Sequence, residues 1–288
     1  MEPIILDGKR LADKMAADLK IRCDALKENG IQPKLRIVTT GDDDASKVYV
    51  RNKEKRAEEI GIEIERVHFD RLDSANQYYE HFEFNDNVPT IIQMPVTGDI
   101  IELESLLYPL VDVDGFNDVN TYLLASGQEP FHYPCTPKGI IDLLDEYNIT
   151  IDGASVLIIG RSNIVGRPLA RMMEQRGATV TLAHSHTPKD TIYREICWSD
   201  IVVCCTGVRD IITKAEMKEY GYTTLVSGTV FVDVGMCRDD NGKLRGEVGL
   251  DLLDNCRAYT KTPGGTGPMT CIELMENTIR TYENGWCT

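Results

Sequence analysis

Hydrophobic and polar residues along the chain repeat with two periods, one typical of helices and one typical of strands. Apolar residues spaced three or four apart predict helices at 11–29, 46–60, 136–147, 168–176 and 269–284. Short apolar or alternating runs predict strands at 35–38, 62–69, 90–94, 155–159, 178–183, 201–205 and 229–234. Strands that alternate with helices are typical of parallel sheets covered by helices, so the pattern predicts an α/β protein.

Two of the predicted helix ends carry capping signals. Gly61 directly follows the helix at 46–60, where a left-handed residue commonly ends a helix. Thr136 and Pro137 are predicted to be the N-cap and the first residue of the helix that follows them.

The sequence changes character between residues 112 and 135, where Asp, Asn, Gly and Pro are frequent and the periodicity is weak. Such a stretch is typical of a junction that carries site residues. We therefore predict two α/β domains that meet near residues 115–135, which agrees with a length of 288 residues. The last helix could return to either domain.

Composition narrows the classes of partner. The formal net charge of −15 and the pI of about 4.8 argue against a nucleic acid or an anionic membrane. No apolar run reaches the ~18 residues of a membrane-spanning helix, and the chain begins without a basic and then apolar leader. The chain has nine cysteines and five histidines, but no pair of cysteines has C-x-x-C spacing. The spacing of these residues therefore does not indicate a zinc site. We therefore expect a cytoplasmic protein with reduced thiols and no metal site.

A candidate dinucleotide loop follows the predicted strand at 155–159. This strand runs into Gly160, and the segment up to Gly166 leads into a helix, so that backbone N–H groups and a helix N-terminus would face a pyrophosphate. Ser162 stands at the position of the usual second glycine. An ordinary strand–turn–helix connection is therefore the alternative interpretation.

The next strand ends at Ala183, and the residues after it bear on the choice of dinucleotide. NAD-binding folds commonly carry an acidic residue at this end, which holds the ribose 2′-OH. Here His184, Ser185 and His186 follow, and Arg161 lies in the preceding loop. Because no carboxylate would repel a 2′-phosphate, the sequence favours NADP, with NAD as the alternative.

The helix at 46–60 carries a second candidate chemistry. Tyr49 and Lys53 are four residues apart and therefore share a helix face. The helix holds four further basic residues, Lys47, Arg51, Lys55 and Arg56. The cluster predicts a locally basic surface in an acidic protein, although on the pattern alone a solvated helix face is the default interpretation.

Six motifs follow one another along nearly the whole chain. They read YVxxK from Tyr49, QMP from Gln93, DVDGF from Asp112, PCTPxG from Pro134, GRSxIVGRP from Gly160 and PGGTGPMT from Pro263. In this order they resemble the bifunctional methylenetetrahydrofolate dehydrogenase/methenyltetrahydrofolate cyclohydrolase family. Each motif alone is modest, but the six together are specific.

The resemblance implies two α/β domains with a cleft between them. Residues 1–125 would form the folate-binding catalytic domain, with the helix at about 269–288 packing back on it, and residues 126–268 would form a Rossmann-like, NADP-binding domain with a parallel sheet. The implied reactions are the oxidation of 5,10-methylenetetrahydrofolate to 5,10-methenyltetrahydrofolate with NADP, and the hydrolysis of that product to 10-formyltetrahydrofolate. Family members are commonly homodimers, so a homodimer is expected here.

The resemblance also implies roles for residues at matching motif positions. Lys53 is similar to the family's catalytic lysine, Gln93 to the amide that orients it, and Tyr49 to the ring that stacks on the folate. Asp114 is similar to the carboxylate that binds the amino-pyrimidine edge, from which it can accept two hydrogen bonds. Further implied folate contacts are Met94, Pro263 and Gly264. The implied cofactor contacts are Gly160, Arg161, Ser162, Ile164, Val165, Gly166, Ser185, Thr206, Gly207 and Gly235.

Three alternatives remain beside this interpretation. The first is a monofunctional, NAD-linked dehydrogenase of the same family. Lys53 argues against it, because a dehydrogenase alone has no evident need for that amine. The second is a shikimate dehydrogenase-like enzyme, against which the motifs around Tyr49 and Pro263 argue. The third is a non-catalytic dinucleotide-binding module, which would predict the loss of Lys53, Gln93 or Asp114, and all three are present. The sequence also departs from the family pattern at Tyr122 and Thr266, where glycine and valine are usual, which puts details of the cleft in question.

Overall fold

The chain folds into two compact units in the computed structural model, which describes residues 2–82, 87–100, 105–223, 228–235, 237–239 and 241–287. The six-strand unit comprises Met1–Ala12 and Thr136–Thr270, and the three-strand unit comprises Asp13–Cys135 and Cys271–Thr288. The units differ from the predicted division in two places. Residues 1–12 belong to the six-strand unit, and residues 126–135 belong to the three-strand unit.

Helices and strands alternate along most of the chain, as the periodicity predicts. Within the described residues the helices are α1 Gly8–Glu28, α2 Asp44–Ile60, α3 Ala75–Tyr79, α4 Asp118–Ala125, α5 Cys135–Glu146, α6 Gly166–Gln175, α7 Lys189–Ile196, α8 Lys214–Glu219, α9 Leu250–Leu253 and α10 Thr266–Glu283. The strands are β1 Ile4–Leu6, β2 Lys34–Thr40, β3 Glu63–Phe69, β4 Thr90–Ile92, β5 Ser155–Ile159, β6 Thr179–Ala183, β7 Ile201–Cys204, β8 Val230–Asp233, β9 Cys237–Arg238, β10 Leu244–Arg245 and β11 Ala258–Thr260.

The sheet of the three-strand unit has the order β3-β2-β4, and both of its strand pairs are parallel. Ile37 and Val38 of the central strand, which point to opposite faces of the sheet, are both fully buried, as expected for a strand covered on both faces. Helix α2 follows this strand. Its N-cap Asp43 accepts a hydrogen bond from the backbone of Ser46, and it ends at Gly61, whose φ of 97° lies in the left-handed region. The two caps fix the bounds of α2, and the C-terminal one is as predicted.

The sheet of the six-strand unit has the order β1-β11-β8-β7-β5-β6, and all of its pairs are parallel. Strand β5 pairs with β6 on one side and with β7 on the other, so the strand order reverses there. In open parallel sheets such a reversal leaves a crevice at the carboxyl ends of the two flanking strands, where ligands bind. Here these strands are β5 and β7, which end at Ile159 and Cys204.

All five predicted helices begin one to three residues earlier than the sequence predicts, and α5 and α6 show the consequence for a threonine and a proline in the first turn. Helix α5 begins at Cys135, so Thr136 lies in its first turn and is not the N-cap; its hydroxyl lies 2.9 Å from the hydroxyl of Thr270. Helix α6 begins at Gly166, with Val165 as its N-cap, and Pro168 occupies the first turn. A proline in that position needs no intrahelical hydrogen bond from its own nitrogen, and so it does not mark the first residue.

Each unit has its own apolar core. In the six-strand unit, Leu157, Val202 and Phe231 of the central strands are fully buried in one cluster. In the three-strand unit, Val38 and Leu72 belong to a second cluster. Among the described helices there is none with the length and apolar character that crossing a membrane requires.

Candidate active site

Lys53 and Gln93 form a buried hydrogen-bonded pair in the three-strand unit. Lys53 lies in the third turn of α2, and its Nζ donates to Oε1 of Gln93 at 2.8 Å. Only 7% of Lys53 and 9% of Gln93 are exposed. Gln93 follows β4, and its Nε2 donates to the carbonyl of Met94 at 2.8 Å, which turns its amide oxygen toward the lysine. The lysine therefore has a neutral partner that orients it.

Asp114 interacts electrostatically with the lysine of this pair. Burial raises the pKa of its half-buried carboxyl, while the positive charge of Lys53 and a hydrogen bond with the Cys135 thiol oppose that rise. Cys271 interacts with Lys53, with Asp114 and with Tyr49. The structure thus brings four predicted folate residues, Tyr49, Lys53, Gln93 and Asp114, into one site.

The loop that carries Asp114 is held by a neighbouring carboxylate. Asp112 is 4% exposed, and its two oxygens accept hydrogen bonds from the backbone N–H groups of Gly115 at 3.2 Å and Asn117 at 2.5 Å. Burial raises the pKa of Asp112 to about 7, and the charge of Asp114 adds to that rise. Gly115 has a φ of 77°, and a Cβ there would lie 2.8 Å from the carbonyl of His132. Only glycine fits this turn without strain.

A buried amide from the last helix holds the same loop from its other side. Asn277 is 5% exposed, and its Nδ2 donates to the carbonyls of Val113 at 3.0 Å and Tyr133 at 3.1 Å. The Cys135 thiol donates to the carbonyl of Val113 at 3.3 Å. The sequence analysis missed Asn277, because the only signal was its place on the helix after the PGGTGPMT motif.

Tyr49 and Met94 supply the partly exposed apolar surface of this site. Tyr49 is 37% exposed and lies one turn before Lys53 on the same face of α2. Burial raises the pKa of Tyr49, and Cys271 adds to the rise. Met94 is 39% exposed and precedes Pro95 through a cis peptide bond. A partly exposed apolar surface of this kind suits a flat ring that packs on it beside the buried amine of Lys53.

In the six-strand unit, the loop after β5 has the close backbone packing of a dinucleotide site. Gly160 has a φ of 126°, and a Cβ there would lie 2.5 Å from the carbonyl of Cys205. A Cβ on Gly166 would lie 2.0 Å from the carbonyl of Gly160. Ser162 Oγ accepts hydrogen bonds from the backbone of Val165 at 3.1 Å and of Gly166 at 3.5 Å. These residues, at the N-terminus of α6 and at the sheet's switch point, fit a bound dinucleotide.

The end of β6 lies next to this loop in the sheet and carries no carboxylate. Ser185 and His186 are exposed, and Arg161 is exposed at the start of the preceding loop. Partial burial lowers the pKa of His184, and the positive charge of Arg161 lowers it further, which places the guanidinium near the strand end. An arginine at a strand end whose own residues 184–186 carry no carboxylate is a suitable environment for an additional phosphate.

The remaining predicted cofactor residues follow β7 and β8. The backbone N–H groups of Thr206 and Gly207 donate to the carboxylate of Glu247, which the sequence analysis did not single out. Gly235 packs against the same carboxylate. Ile164 and Val165 lie in the loop before α6, with Ile164 39% exposed.

Pro263 and Gly264 belong to the six-strand unit, whereas the other predicted folate residues belong to the three-strand unit. They follow β11, and Gly264 has a φ of 109° and accepts a hydrogen bond from the backbone of Lys9 at 2.9 Å. Their contact with folate stays a prediction. In the part of the chain that the structure describes, no group of His, Cys, Asp or Glu side chains is arranged to hold a metal ion.

Comparison with known proteins covers both units. The catalytic-domain model of tetrahydrofolate dehydrogenase/cyclohydrolase matches residues 6–114, and the NAD(P)-binding-domain model matches residues 134–285. The chain is 40% identical over 285 residues to the bifunctional protein FolD of Streptococcus pyogenes serotype M5 (strain Manfredo), with 96% of each chain covered.

Two solved structures are similar over nearly the full length. One is the bifunctional FolD methylenetetrahydrofolate dehydrogenase/cyclohydrolase from Campylobacter jejuni, with a TM-score of 0.89, 33% identity, and 98% of this chain and 99% of that chain covered. The other is the Trypanosoma brucei methylenetetrahydrofolate dehydrogenase-cyclohydrolase complexed with NADP cofactor and inhibitor, with a TM-score of 0.89, 26% identity and 100% of both chains covered.

Proposed function

The chain belongs to the tetrahydrofolate dehydrogenase/cyclohydrolase family, and on that premise we propose that Lys53 transfers protons in the hydrolytic step and that the loops after β5 and β6 select NADP. The protein is a bifunctional enzyme of one-carbon metabolism, a methylenetetrahydrofolate dehydrogenase and methenyltetrahydrofolate cyclohydrolase. The observation that carries the proposal is the buried hydrogen bond of 2.8 Å between Lys53 and Gln93.

The hydrolytic step needs a group that moves protons. Addition of water to the methenyl carbon forms a C–O bond and releases a proton from the water. Ring opening then breaks one C–N bond: the hydroxyl of the adduct loses its proton as the formyl C=O forms, and the freed ring nitrogen takes up a proton. Two protons are released and one is taken up, so one proton is released overall. Lys53 is placed to accept or deliver these protons, and general acid–base help of this kind typically contributes ~10²–10⁴-fold. Gln93 orients the amine and adds no charge of its own.

The folate ring is held by two residues beside this amine. Asp114 would accept two hydrogen bonds from the amino-pyrimidine edge, because an ionised carboxylate is an acceptor on both oxygens. Tyr49 would stack on the ring through the surface that α2 leaves exposed. Asp112 and Asn277 hold the Asp114 loop rigid, so the carboxylate is preorganised for this contact.

The dehydrogenase step places different demands on the protein. When NADP is bound, its nicotinamide ring supplies the acceptor for the hydride of the methylene carbon. The two nitrogens of the folate stabilise the positive charge that the product carries, so this chain's residues need mainly to position the substrate. The backbone N–H groups near Gly160 and the N-terminus of α6 would hold the pyrophosphate, and Arg161 and Ser185 would hold the 2′-phosphate.

An absorbance assay tests the proposed function. Purified protein is mixed with 5,10-methylenetetrahydrofolate and either NADP or NAD, and the formation and decay of the methenyl product are followed together. We expect formation followed by decay, with kcat/KM at least about tenfold higher for NADP, since one charge-assisted contact is worth about 1.5–3 kcal/mol. Equal values for the two dinucleotides would contradict the NADP proposal, and a stable methenyl product would contradict the hydrolytic role.

We also propose that the enzyme is a cytoplasmic homodimer. The support is the family resemblance, together with the reduced cysteines that the sequence favours. Sedimentation velocity at micromolar concentration, with and without NADP, measures the oligomeric state directly, and a single species of 32.3 kDa would contradict the dimer.

A further inference from the structure

A fully buried glutamate holds the loop that follows β7. Glu247 is 0% exposed and lies between β10 and α9. Its Oε2 accepts hydrogen bonds from the backbone N–H of Thr206 at 2.7 Å and from the hydroxyl of Thr206 at 2.6 Å. Its Oε1 accepts a third hydrogen bond from the backbone N–H of Gly207 at 3.0 Å. Hydrogen bonds to a carboxylate are roughly twice as strong as neutral ones, so this loop is firmly fixed.

A second buried carboxylate fixes the segment that carries Glu247. Asp233 ends β8, and its Oδ2 accepts hydrogen bonds from the backbone of Glu247 at 2.7 Å and of Val248 at 3.1 Å. The carbonyl of Asp233 accepts a hydrogen bond from the hydroxyl of Thr266 at 3.2 Å. The departure from the family pattern at Thr266 therefore adds a hydrogen bond to this network, which extends from the loop after β7 to the start of α10.

The carboxylates of Glu247 and Asp233 both pack against glycines, where no other residue would leave them room. A Cβ on Gly235 would lie 1.8 Å from Oε1 of Glu247, and a Cβ on Gly246 would lie 1.7 Å from Oδ2 of Asp233. A side chain at either position would push a carboxylate off its hydrogen-bond donors. Gly235, which the resemblance implies as a cofactor contact, is thus also required by the buried glutamate.

Glu247 is not placed to touch a ligand itself, because it is 0% exposed and both of its carboxylate oxygens are hydrogen-bonded to the chain. The hydrogen bonds of Glu247 instead go to the loop, and the loop lies at the switch point where the proposed function places the cofactor. Conformational control of the loop accounts for both observations.

We propose that Glu247 is a positioning residue, which holds Thr206 and Gly207 in the conformation that accepts the dinucleotide. This inference rests on the proposed function, because it assumes that the loop after β7 contacts NADP. It deepens that function by assigning cofactor affinity to a residue that does not touch the cofactor. The hydrolytic step, which uses residues of the three-strand unit, does not depend on this loop.

The test compares the two half-reactions in Glu247→Gln. Dehydrogenase kcat and KM for NADP are measured together with the Kd for NADP by calorimetry, and cyclohydrolase activity is measured on 5,10-methenyltetrahydrofolate without cofactor. We expect the KM and Kd for NADP to rise about tenfold or more, since an amide nitrogen would face a backbone donor. The cofactor-free cyclohydrolase rate should stay within about twofold of the parent.

The matched control is Glu216→Gln in the same unit. Glu216 accepts charge-assisted hydrogen bonds from Lys189 at 2.9 Å and from Tyr193 at 2.6 Å, but it lies outside the proposed cofactor loops. The Glu216→Gln variant should have a lower melting temperature than the parent and the same Kd for NADP. Glu247→Asp keeps the charge with a shorter reach, and its Kd should lie between those of the parent and Glu247→Gln.

Several outcomes would overturn the inference. An unchanged Kd for NADP in folded Glu247→Gln would do so, and so would a parallel fall in cofactor-free cyclohydrolase activity. If Glu247→Gln does not fold, Glu247→Asp decides in its place, and an unchanged Kd there contradicts the proposal. A parent protein without dehydrogenase activity would instead contradict the proposed function itself.

Discussion

At the scale of single residues, the partner of Lys53 matters as much as the lysine. An amine paired with a carboxylate would be fixed as an ammonium ion, whereas the amide of Gln93 holds the nitrogen at 2.8 Å in either protonation state. The arrangement suits a group that must both take and give a proton.

Replacing Lys53 should separate the two half-reactions. We expect Lys53→Met to lower cyclohydrolase activity by about 10²–10⁴-fold, because proton transfer is lost, while much of the dehydrogenase activity survives. The methenyl intermediate should then accumulate in the coupled assay. Lys55→Met, an exposed position on the same helix, is the control. Near-normal ring opening in the variant would show that Lys53 is not the proton-transfer group, and loss of both activities in folded protein would assign it to substrate binding.

Arg161 should decide between the two dinucleotides. In Arg161→Ala we expect the KM for NADP to rise about tenfold or more and the KM for NAD to change little, since only NADP carries the 2′-phosphate. Steady-state kinetics with both cofactors measure the effect. Arg171→Ala is the control, because Arg171 lies further along α6 in an exposed ion pair with Glu174. Equal losses with both cofactors would refute the assignment.

At the scale of elements, ion pairs and burial reduce the locally basic surface that the sequence of α2 predicts. Lys47 pairs with Asp42 at 2.5 Å, Arg56 pairs with Asp13 at 2.8 Å, and Lys53 is buried. These partners come from elsewhere in the chain and neutralise two of the five charges. Capture of a polyglutamylated folate by long-range attraction therefore depends on the exposed residues Arg51 and Lys55.

The contact between α10 and the Asp114 loop should support both stability and folate binding. Asn277→Ala removes the buried amide that donates to the carbonyls of Val113 and Tyr133, and each lost hydrogen bond costs about 0.5–1.5 kcal/mol. We expect the free energy of unfolding to fall by about 1–3 kcal/mol and the KM for folate to rise more than that for NADP.

Chemical denaturation and steady-state kinetics measure these two effects. The control is Thr278→Val on the same helix, which removes only the hydrogen bond to the carbonyl of Leu274 and should cost about 1 kcal/mol or less. If Asn277→Ala were no more destabilising than this control, the amide would not hold the loop.

At the scale of the whole molecule, stability should depend on pH through one buried histidine. His132 is 0% exposed, and its Nε2 lies 3.0 Å from the carbonyl of Leu110. Burial, together with the positive charge of Arg280, lowers the pKa of His132 to about 4. Because the unfolded chain takes up this proton near pH 6.5 and the folded chain only near pH 4, stability is lost as the pH falls between these values.

We therefore expect protonation of His132 to lower the free energy of unfolding by on the order of 3 kcal/mol as the pH falls from 7 to 4. Asp112 and Asp233, whose pKa values are raised to about 7 and about 6, act with the opposite sign, so only a difference between variants isolates the histidine. The excess stability of the parent over His132→Gln should shrink as the pH falls, as measured by urea denaturation. The control variant is His186→Gln, at an exposed position, and the comparison is of the two variants across the same pH series.

The family and the fold class are confirmed, because both depend on local patterns that the sequence contains. Strand β5 matches its predicted span, and the six ordered motifs identify the family. Asp112, Asn277 and Glu247 could not be found in this way. They bind mainly backbone groups, which nearly all residues share, so the sequence does not show which group will be the partner. Asn277, for example, donates to a carbonyl 164 residues away. Long-range packing of this kind becomes visible only in the folded chain.

The discontinuity of the three-strand unit has a consequence for the newly made chain. The Asp114 loop leaves the ribosome 164 residues before Asn277, and at ~5–20 residues per second this gap lasts roughly 8–33 s. During that interval β2, β3 and β4 exist without the helix that completes their unit, whereas the residues of the six-strand unit end at Thr270. The last strand of the dinucleotide-binding sheet is therefore synthesised before Asn277, and a chain that stops short of Asn277 would lack the amide that holds the Asp114 loop.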